Sequence, residues 1–269
     1  MGAVLGARTG SFGRVTFFDI SEPVAEHAHP HAHLLFKAGG GDRRMLVAGR
    51  EATVSDTRCV LINPWQKHSD LSEQPGGATR LLAFYLEPGW TAERLGVGSV
   101  GFGRLTGAVS PRGRRLVARI GDALSGRMAL PDDVLEEAIV DLVALASAEC
   151  LVDRRTGLAD YRIRHALRRL RERPHLHIDY SDVARGVGLS RSRFYEQFRS
   201  SVGVAPNMFV DGLVLEQAYA MMKQGGRPLD EIASELGFSA QSSFTRFFRE
   251  RVGFPPSTLR RRIDRAGSP

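Results

Sequence analysis

Two groups of side chains in this sequence have the types and spacing to do chemistry. The first is a set of imidazoles: His27, His29, His31 and His33 alternate, and His68 follows later, so five of the eight histidines are involved. Alternate residues of a strand project to one face, where neutral imidazoles can ligate a metal ion or line a pocket for a small polar molecule. The second set lies near the C-terminus: Arg191, Ser192, Arg193, Tyr195 and Glu196, then Gln241, Ser242, Ser243, Thr245 and Arg246. Arginine pairs with guanine, glutamine with adenine and glutamate with the amino group of cytosine, so on exposed helices these residues carry the chemistry of base reading.

An internal repeat positions the second set. Ala184, Gly188, Phe198, Gly203 and Pro206 recur as Ala233, Gly237, Phe248, Gly253 and Pro256, at offsets of 49, 49, 50, 50 and 50 residues. One residue inserted just after the glycine explains the change of offset, at a turn that tolerates it. Each unit has the pattern of a helix-turn-helix. A short helix, Ser181 to Val187 or Leu229 to Leu236, carries a small residue, Ala184 or Ala233, where a second helix must cross closely. Gly188 or Gly237 supplies the left-handed turn, and Leu189 or Phe238 packs behind it. Ser190 in one unit, and Ser239 or Ala240 in the other, stand where the next helix is capped. In that next helix Phe194 and Phe198, or Phe244 and Phe248, are four apart and face inward, which leaves the polar residues outside.

Between the units, Pro206 to Gln224 reads as one helix with Phe209, Leu213, Met221 and Met222 on its apolar side and Gly225-Gly226 at its end. At about 1.5 Å per residue it spans about 28 Å, near the roughly 34 Å of one DNA turn. One chain can then present two reading helices to successive major grooves.

Charge follows the same division. The 269 residues carry 37 basic and 30 acidic side chains, a net +7. Residues 1–159 hold 18 of each sign and 160–269 hold 19 basic against 12 acidic, so the excess lies wholly behind residue 159. A neutral half for a small molecule or partner, joined to a basic half for a polyanion such as DNA, fits this split; a surplus of solvated arginines is the alternative. Arg162, Arg164, Arg168, Arg169, Arg171 and Arg173 crowd a helix whose other face holds Ile163, Ala166, Leu167 and Leu170, before Pro174 stops it. A hydrophobic share of 42% with 25% charged residues excludes a mainly disordered or collagen-like chain. Cys59 and Cys150, 91 positions apart, suit neither a disulfide framework nor a zinc knuckle and are expected as core residues in a reducing cytoplasm. No signal peptide or membrane span is expected, because no stretch approaches roughly 18 uninterrupted apolar residues.

Segment 182–262 resembles the AraC/XylS-type transcription-regulator domain. The resemblance rests on Gly188-Leu189-Ser190, Phe198, Gly203 and Pro206, then Glu231-Ile232-Ala233, Gly237-Phe238, Ser243 to Arg249, Gly253-Phe254-Pro255-Pro256 and Arg260. It implies a seven-helix domain that binds promoter DNA, usually to activate transcription, with Ser192, Tyr195, Glu196, Gln241, Ser242 and Arg246 at its base-contacting positions. The chain departs from the family's pattern at Val214-Leu215, where an arginine followed by leucine is usual.

The front of the chain has short apolar runs, Val15 to Phe18, Leu34 to Phe36, Met45 to Val47, Cys59 to Ile62 and Leu81 to Leu86, separated by glycine and proline turns. These predict a small all-β barrel or sandwich. His31-Ala-His33, the glycine-rich turn and Pro64 four residues before His68 are similar to the cupin-type sensor domains of such regulators, over about residues 31 to 85. In the metal-binding cupin pattern a carboxylate follows the second histidine by four or five positions, and here those positions hold Lys37 and Ala38. That omission counts against a catalytic iron or manganese site. A metal site from His31, His33 and His68, an effector pocket lined by His31, His33, Trp65 and His68, and a plain surface tract remain as readings. The effector pocket leads, and no cofactor or metal is expected. Trp90 is a further pocket candidate. Beyond Pro111 the period changes, and Leu135, Ile139, Leu142, Val143 and Ala146 form a stripe that either packs on the barrel or pairs with a second subunit.

The expected fold is multidomain α and β: a cupin-like β-barrel over 1–110, a helical region and linker over 111–157, and an all-α double helix-turn-helix domain over 158–269, with units at 182–203 and 230–253. Asp153 to Gly157 is the polar connection. The expected function is a cytoplasmic, non-enzymatic transcription regulator, an activator, that binds double-stranded promoter DNA under control of a small-molecule effector. RNA polymerase is an expected partner and a homodimer an expected assembly, with no membrane partner. The rival is a metal-dependent cupin enzyme carrying a DNA-binding tail.

Overall fold

The structure is a computed structural model, and it describes residues 3–71, 77–95, 100–148, 150–153 and 160–266. The front of the chain runs β1 (Ala3–Gly10), β2 (Gly13–Ile20), β3 (Ala32–Gly40), β4 (Arg43–Val47), β5 (Arg50–Val54), β6 (Arg58–Ile62), β7 (His68–Asp70), β8 (Thr79–Leu86), α1 (Pro88–Leu95), β9 (Val100–Phe102) and β10 (Thr106–Ala108). One antiparallel sheet has the order β1-β2-β8-β3-β6-β10, and a second has the order β5-β4-β7. All five apolar runs are strands, as expected. β1, β5, β7, β9 and β10 are not among the expected strands, although Ala3 to Leu5 of β1 is an apolar run as long as Met45 to Val47.

The large sheet is covered on both faces, which is why its central strands read as unbroken apolar runs. On one face Leu35, Val60, Ile62, Leu81 and Ala83 meet Met45, Val47, Ala52 and Val54 of the small sheet. On the other, Phe17, Leu34, Phe36, Leu82 and Phe84 meet α2 (Pro111–Leu124) and α3 (Asp132–Ser147). Ser110 begins α2, its hydroxyl accepting from the Gly113 amide at 3.1 Å, with Pro111 in the first turn. The stripe Leu135, Ile139, Leu142, Val143 and Ala146 is buried in this second core. Of its two expected uses, packing within the chain is the one found. β11 (Leu151–Asp153) pairs with β9, so Asp153 ends a strand, and the rest of the expected polar connection lies outside the described residues. Cys59 and Cys150 are buried and unbridged; the Cys59 thiol donates to the Gly107 carbonyl at 3.4 Å, and burial pushes it up to about 12.

Seven helices follow: α4 (Tyr161–Glu172), α5 (Tyr180–Gly186), α6 (Arg191–Val202), α7 (Pro206–Lys223), α8 (Leu229–Glu235), α9 (Gln241–Val252) and α10 (Pro256–Ala266). α4 buries Ile163, Ala166 and Leu170 and leaves most of its arginines in water. α7 buries Phe209, Val210, Val214, Leu215, Ala218, Met221 and Met222, nearly its whole circumference, because the β-structure covers the side that the helical core does not.

The two halves share one continuous apolar core. Phe18 packs on Phe254 with ring centroids 6.0 Å apart, and Trp65 stacks on Phe209 at 4.1 Å. The Ala25 amide donates to the Glu250 carbonyl at 2.8 Å. At Gly212 the approach is so close that a Cβ would stand 2.4 Å from the Ala28 carbonyl oxygen.

Candidate nucleic-acid interface and interdomain cleft

The repeat folds into two helix-turn-helix units, α5–α6 and α8–α9. Ala184 and Ala233 are each 1% exposed, at the helix crossings where bulk has no room. Gly188 and Gly237 have φ of +68° and +89°, the left-handed region that side-chain-bearing residues avoid. The Ser190 hydroxyl accepts from the Arg193 amide at 3.3 Å and caps α6. In the second unit Ala240, not Ser239, is the cap residue, and no side chain bonds the first turn of α9. Phe194 and Phe198 pack at 5.5 Å and Phe244 and Phe248 at 5.9 Å, all inside.

Arg191, Ser192, Arg193, Glu196, Gln241, Ser242 and Arg246 are exposed. Tyr195, Ser243 and Thr245 are half-buried. The Tyr195 ring lies edge-on to Tyr180 at 5.8 Å with the Arg191 guanidinium 5.7 Å above it, so it also braces the unit. Arg199 and Arg249, in the last turns of α6 and α9, are exposed and extend the basic surface.

The second candidate site is the seam between the halves. Arg14, Tyr85 and His33 sit in one cross-strand row, Arg14 opposite Tyr85 and Tyr85 opposite His33. The Arg14 guanidinium is clasped between the rings of Tyr85 and Tyr219, 4.0 Å from each centroid, and reaches Glu216 of α7 at 3.5 Å. His31 bonds the same carboxylate at 3.1 Å. Burial alone would raise the Glu216 carboxyl, but Arg14 and His31 outweigh it and hold it below the usual range. Beside this group a cleft is lined by Phe18, His27 and His29 from the front and by Leu215, Phe248, Arg251, Phe254 and Leu259 from the back. A neighbouring hollow includes His33, His68 and the buried Arg43–Asp70 pair, whose atoms approach to 2.5 Å.

The histidines divide. His27, His29, His33 and His68 gather, with His27 and His68 ring centroids at 4.1 Å and the His29 and His33 nitrogens 2.8 Å apart. His31 leaves them: β3 begins at Ala32, and the bend at Pro30 and His31 breaks the expected strand alternation and turns the ring toward α7. The trio His31, His33 and His68 is therefore not the one brought together. Burial, and then neighbouring positive charge, lowers His29 and His33 well below 6.5; burial takes His27 to about 4 and His68 to about 3. Trp65 stacks on α7 outside both hollows. Trp90 is buried against Phe12 and donates its indole N–H to Glu136 at 3.0 Å.

Sequence reasoning missed Arg14, Tyr85, Glu216, Tyr219 and Arg251. The signal available was an arginine at the head of the apolar run Val15 to Phe18 and a glutamate amid the apolar positions of α7, charges whose counterparts only the fold reveals.

A duplicated helix-turn-helix docked on a two-sheet domain defines the class as a two-domain helix-turn-helix protein. Residues 183–262 match the family model described as a helix-turn-helix domain, and this segment is a helix-turn-helix domain of the AraC type. The HTH-type transcriptional regulator ExsA of Pseudomonas aeruginosa is 34% identical over 84 residues, 31% of this chain and 30% of that protein. The virulence regulon transcriptional activator VirF of Yersinia enterocolitica is 34% identical over 80 residues, 30% of each. The chain thus spans about a third of the length of the curated relatives it matches. An apo variant of ToxT from Vibrio cholerae superposes over 94% of this chain and 98% of its own, with a TM-score of 0.63 and 12% identity. The unsaturated-fatty-acid-bound wild-type ToxT does so over 91% and 94%, with a TM-score of 0.59. That likeness is one of fold, and it extends to both halves.

Proposed function

We propose that this chain is a sequence-specific transcription regulator, an activator, whose hold on promoter DNA is set by a small molecule bound at the seam between its halves. The observation that carries the reading is the pair of helices α6 and α9, each burying its phenylalanines and exposing a polar face in both copies of the repeat. Arg191, Ser192, Arg193 and Glu196 of α6, and Gln241, Ser242 and Arg246 of α9, are the base- and phosphate-contacting residues of this reading, with Tyr195, Ser243 and Thr245 at its edge. The 18 residues of α7 span about 27 Å and set the units near one helical repeat apart.

The division into 1–110, 111–157 and 158–269 follows from it as sensor, helical cover and reading domain. The effector is a molecule with an apolar body and an acidic head: Phe18, Leu215, Phe248, Phe254 and Leu259 line the apolar wall, and Arg251, held by Asp211 at 2.8 Å, is the cation the head would share with that carboxylate. The fatty acid bound by ToxT has that chemistry. A ligand there touches both halves at once, so it shifts their relation by whatever affinity it has for one arrangement over another. His33 and His68 line the neighbouring hollow and not this cleft, and His31 acts through Glu216. RNA polymerase is the partner an activator implies, and the cytoplasm is where it works. Among the described residues no helix is long and apolar enough to cross a membrane. A homodimer through α3 does not belong to the reading, because its stripe is used within the chain.

Footprinting of the full chain on the DNA upstream of its own and adjoining genes tests the proposal. Two protected patches about one helical turn apart are expected; protection nowhere refutes it.

A further inference from the structure

The imidazole cluster has features that effector binding does not require. His27 and His68 are joined through their backbones, each amide donating to the other's carbonyl at 3.0 Å. In each ring Nδ1 lies 2.8 Å from a carbonyl oxygen, Ala25 for His27 and Gln66 for His68. A carbonyl only accepts, so Nδ1 carries the proton in both rings and Nε2 presents a lone pair. This outer hydrogen bond is what fixes the tautomer and orientation of metal-ligating histidines. One nitrogen each from His27, His29 and His68 lie within 4.8 Å of one another. Nε2 of His68, Nδ1 of His29 and Nε2 of His33 are buried without a partner. Buried polar atoms are rarely left so, because stripping one of water without giving it a partner is costly. The two carboxylates that act on His68 are both engaged, Asp70 by Arg43 at 2.5 Å and Glu26 by Lys67 at 2.6 Å, which leaves an all-nitrogen donor set. Such a set selects zinc, cobalt, nickel or copper over magnesium or calcium.

We propose that His27, His29 and His68, backed by His33, bind one divalent transition-metal ion, and that the ion fixes segment 24–31 against the DNA-reading half. α7 and α9 both touch that segment: Ala25 bonds Glu250, a Cβ at Gly253 would stand 3.3 Å from Val24, and Ala28 abuts Gly212. The missing carboxylate after the second histidine argues against a catalytic iron site. It does not bear on a structural site made of imidazoles alone.

The test uses the full chain, tag-free and stripped with chelator, titrated with Co²⁺ while its visible ligand-field absorption is followed, with bound zinc measured separately by elemental analysis. One ion per chain with nitrogen-ligated absorption is expected. His27→Asn and His68→Asn should each weaken it tenfold or more, while His31→Ala and His177→Ala leave it unchanged. Bound zinc should also slow amide hydrogen exchange across 24–31. Absence of stoichiometric binding in the unmodified protein overturns the site whatever the variants do, as does equal loss in His177→Ala. If His68→Asn fails to fold by circular dichroism, the half-buried His27 variant decides. Binding with unchanged exchange across 24–31 overturns the coupling. None of these outcomes depends on DNA binding, so a failure here is distinct from a failure of the regulator reading.

Discussion

Gly212→Ala should loosen the seam between the halves although alanine is the better helix former. Gly212 lies inside α7, where replacing glycine by alanine ordinarily adds about 1 kcal/mol of stability. The new methyl would stand 2.4 Å from the Ala28 carbonyl oxygen and 3.0 Å from the Trp65 ring. The carbonyl belongs to backbone and cannot rotate away, so α7 and the β-structure must part by about 0.6 Å or more. Two contacts flank that point. The Trp65–Phe209 stack is of a kind worth about 0.5–1.5 kcal/mol. The Arg14–Glu216 pair is largely removed from water, and breaking such a pair outright costs about 3–5 kcal/mol. Partial loss of both, about 2–4 kcal/mol, exceeds the helix gain and leaves a net destabilisation of about 1–3 kcal/mol. The assay is urea unfolding in a Trp90→Phe background, where Trp65 is the only tryptophan left and reports the seam by its emission. A lower midpoint with red-shifted native emission is expected. A variant about 1 kcal/mol more stable than its parent, with Trp65 emission unmoved, would refute the reasoning.

Arg246→Ala should weaken binding to the cognate promoter by about 1–3 kcal/mol in a gel-shift titration and non-specific binding by less; equal losses would place Arg246 on phosphate. His31→Ala should retain DNA binding in vitro but alter the effector response, since it removes an imidazole that holds Glu216 across the seam; an unchanged dose response in a reporter strain removes His31 from the signal path. In chelator-treated protein, acid should destabilise the fold early. His29, His33 and His68 are held neutral with folded values below 6.5, so the unfolded chain binds more protons and stability falls as pH drops below that point. Each such imidazole adds to the loss, and for His68 it continues down to about pH 3. A urea midpoint unchanged between pH 7 and about pH 5 contradicts this.

The helical half follows closely from sequence because its determinants are local. Ala184 and Ala233 at crossings, Gly188 and Gly237 at turns, and phenylalanines four apart each act within a few residues, and their recurrence fixes the period. The five apolar runs are legible for the same reason, whereas β5 and β7 are made strands by pairing with β4, and β10 by pairing with β6, and the short run at the head of β1 stands out only once it pairs with β2. Sequence does not separate Ser239 from Ala240 as the cap of α9, because the inserted residue shifts the register there.

Sequence alone determined that a neutral β-rich half precedes a basic double helix-turn-helix, and that most of the polar residues of α6 and α9 turn outward. Both depend on side-chain type at fixed short spacing. Only the tertiary structure decided which histidines meet, that His31 belongs to Glu216, that Arg14 finds its carboxylate 202 residues away, and that the stripe of α3 is covered within the chain. Those partners come from distant elements, and no local period records where one strand's row of side chains will face another element's helix.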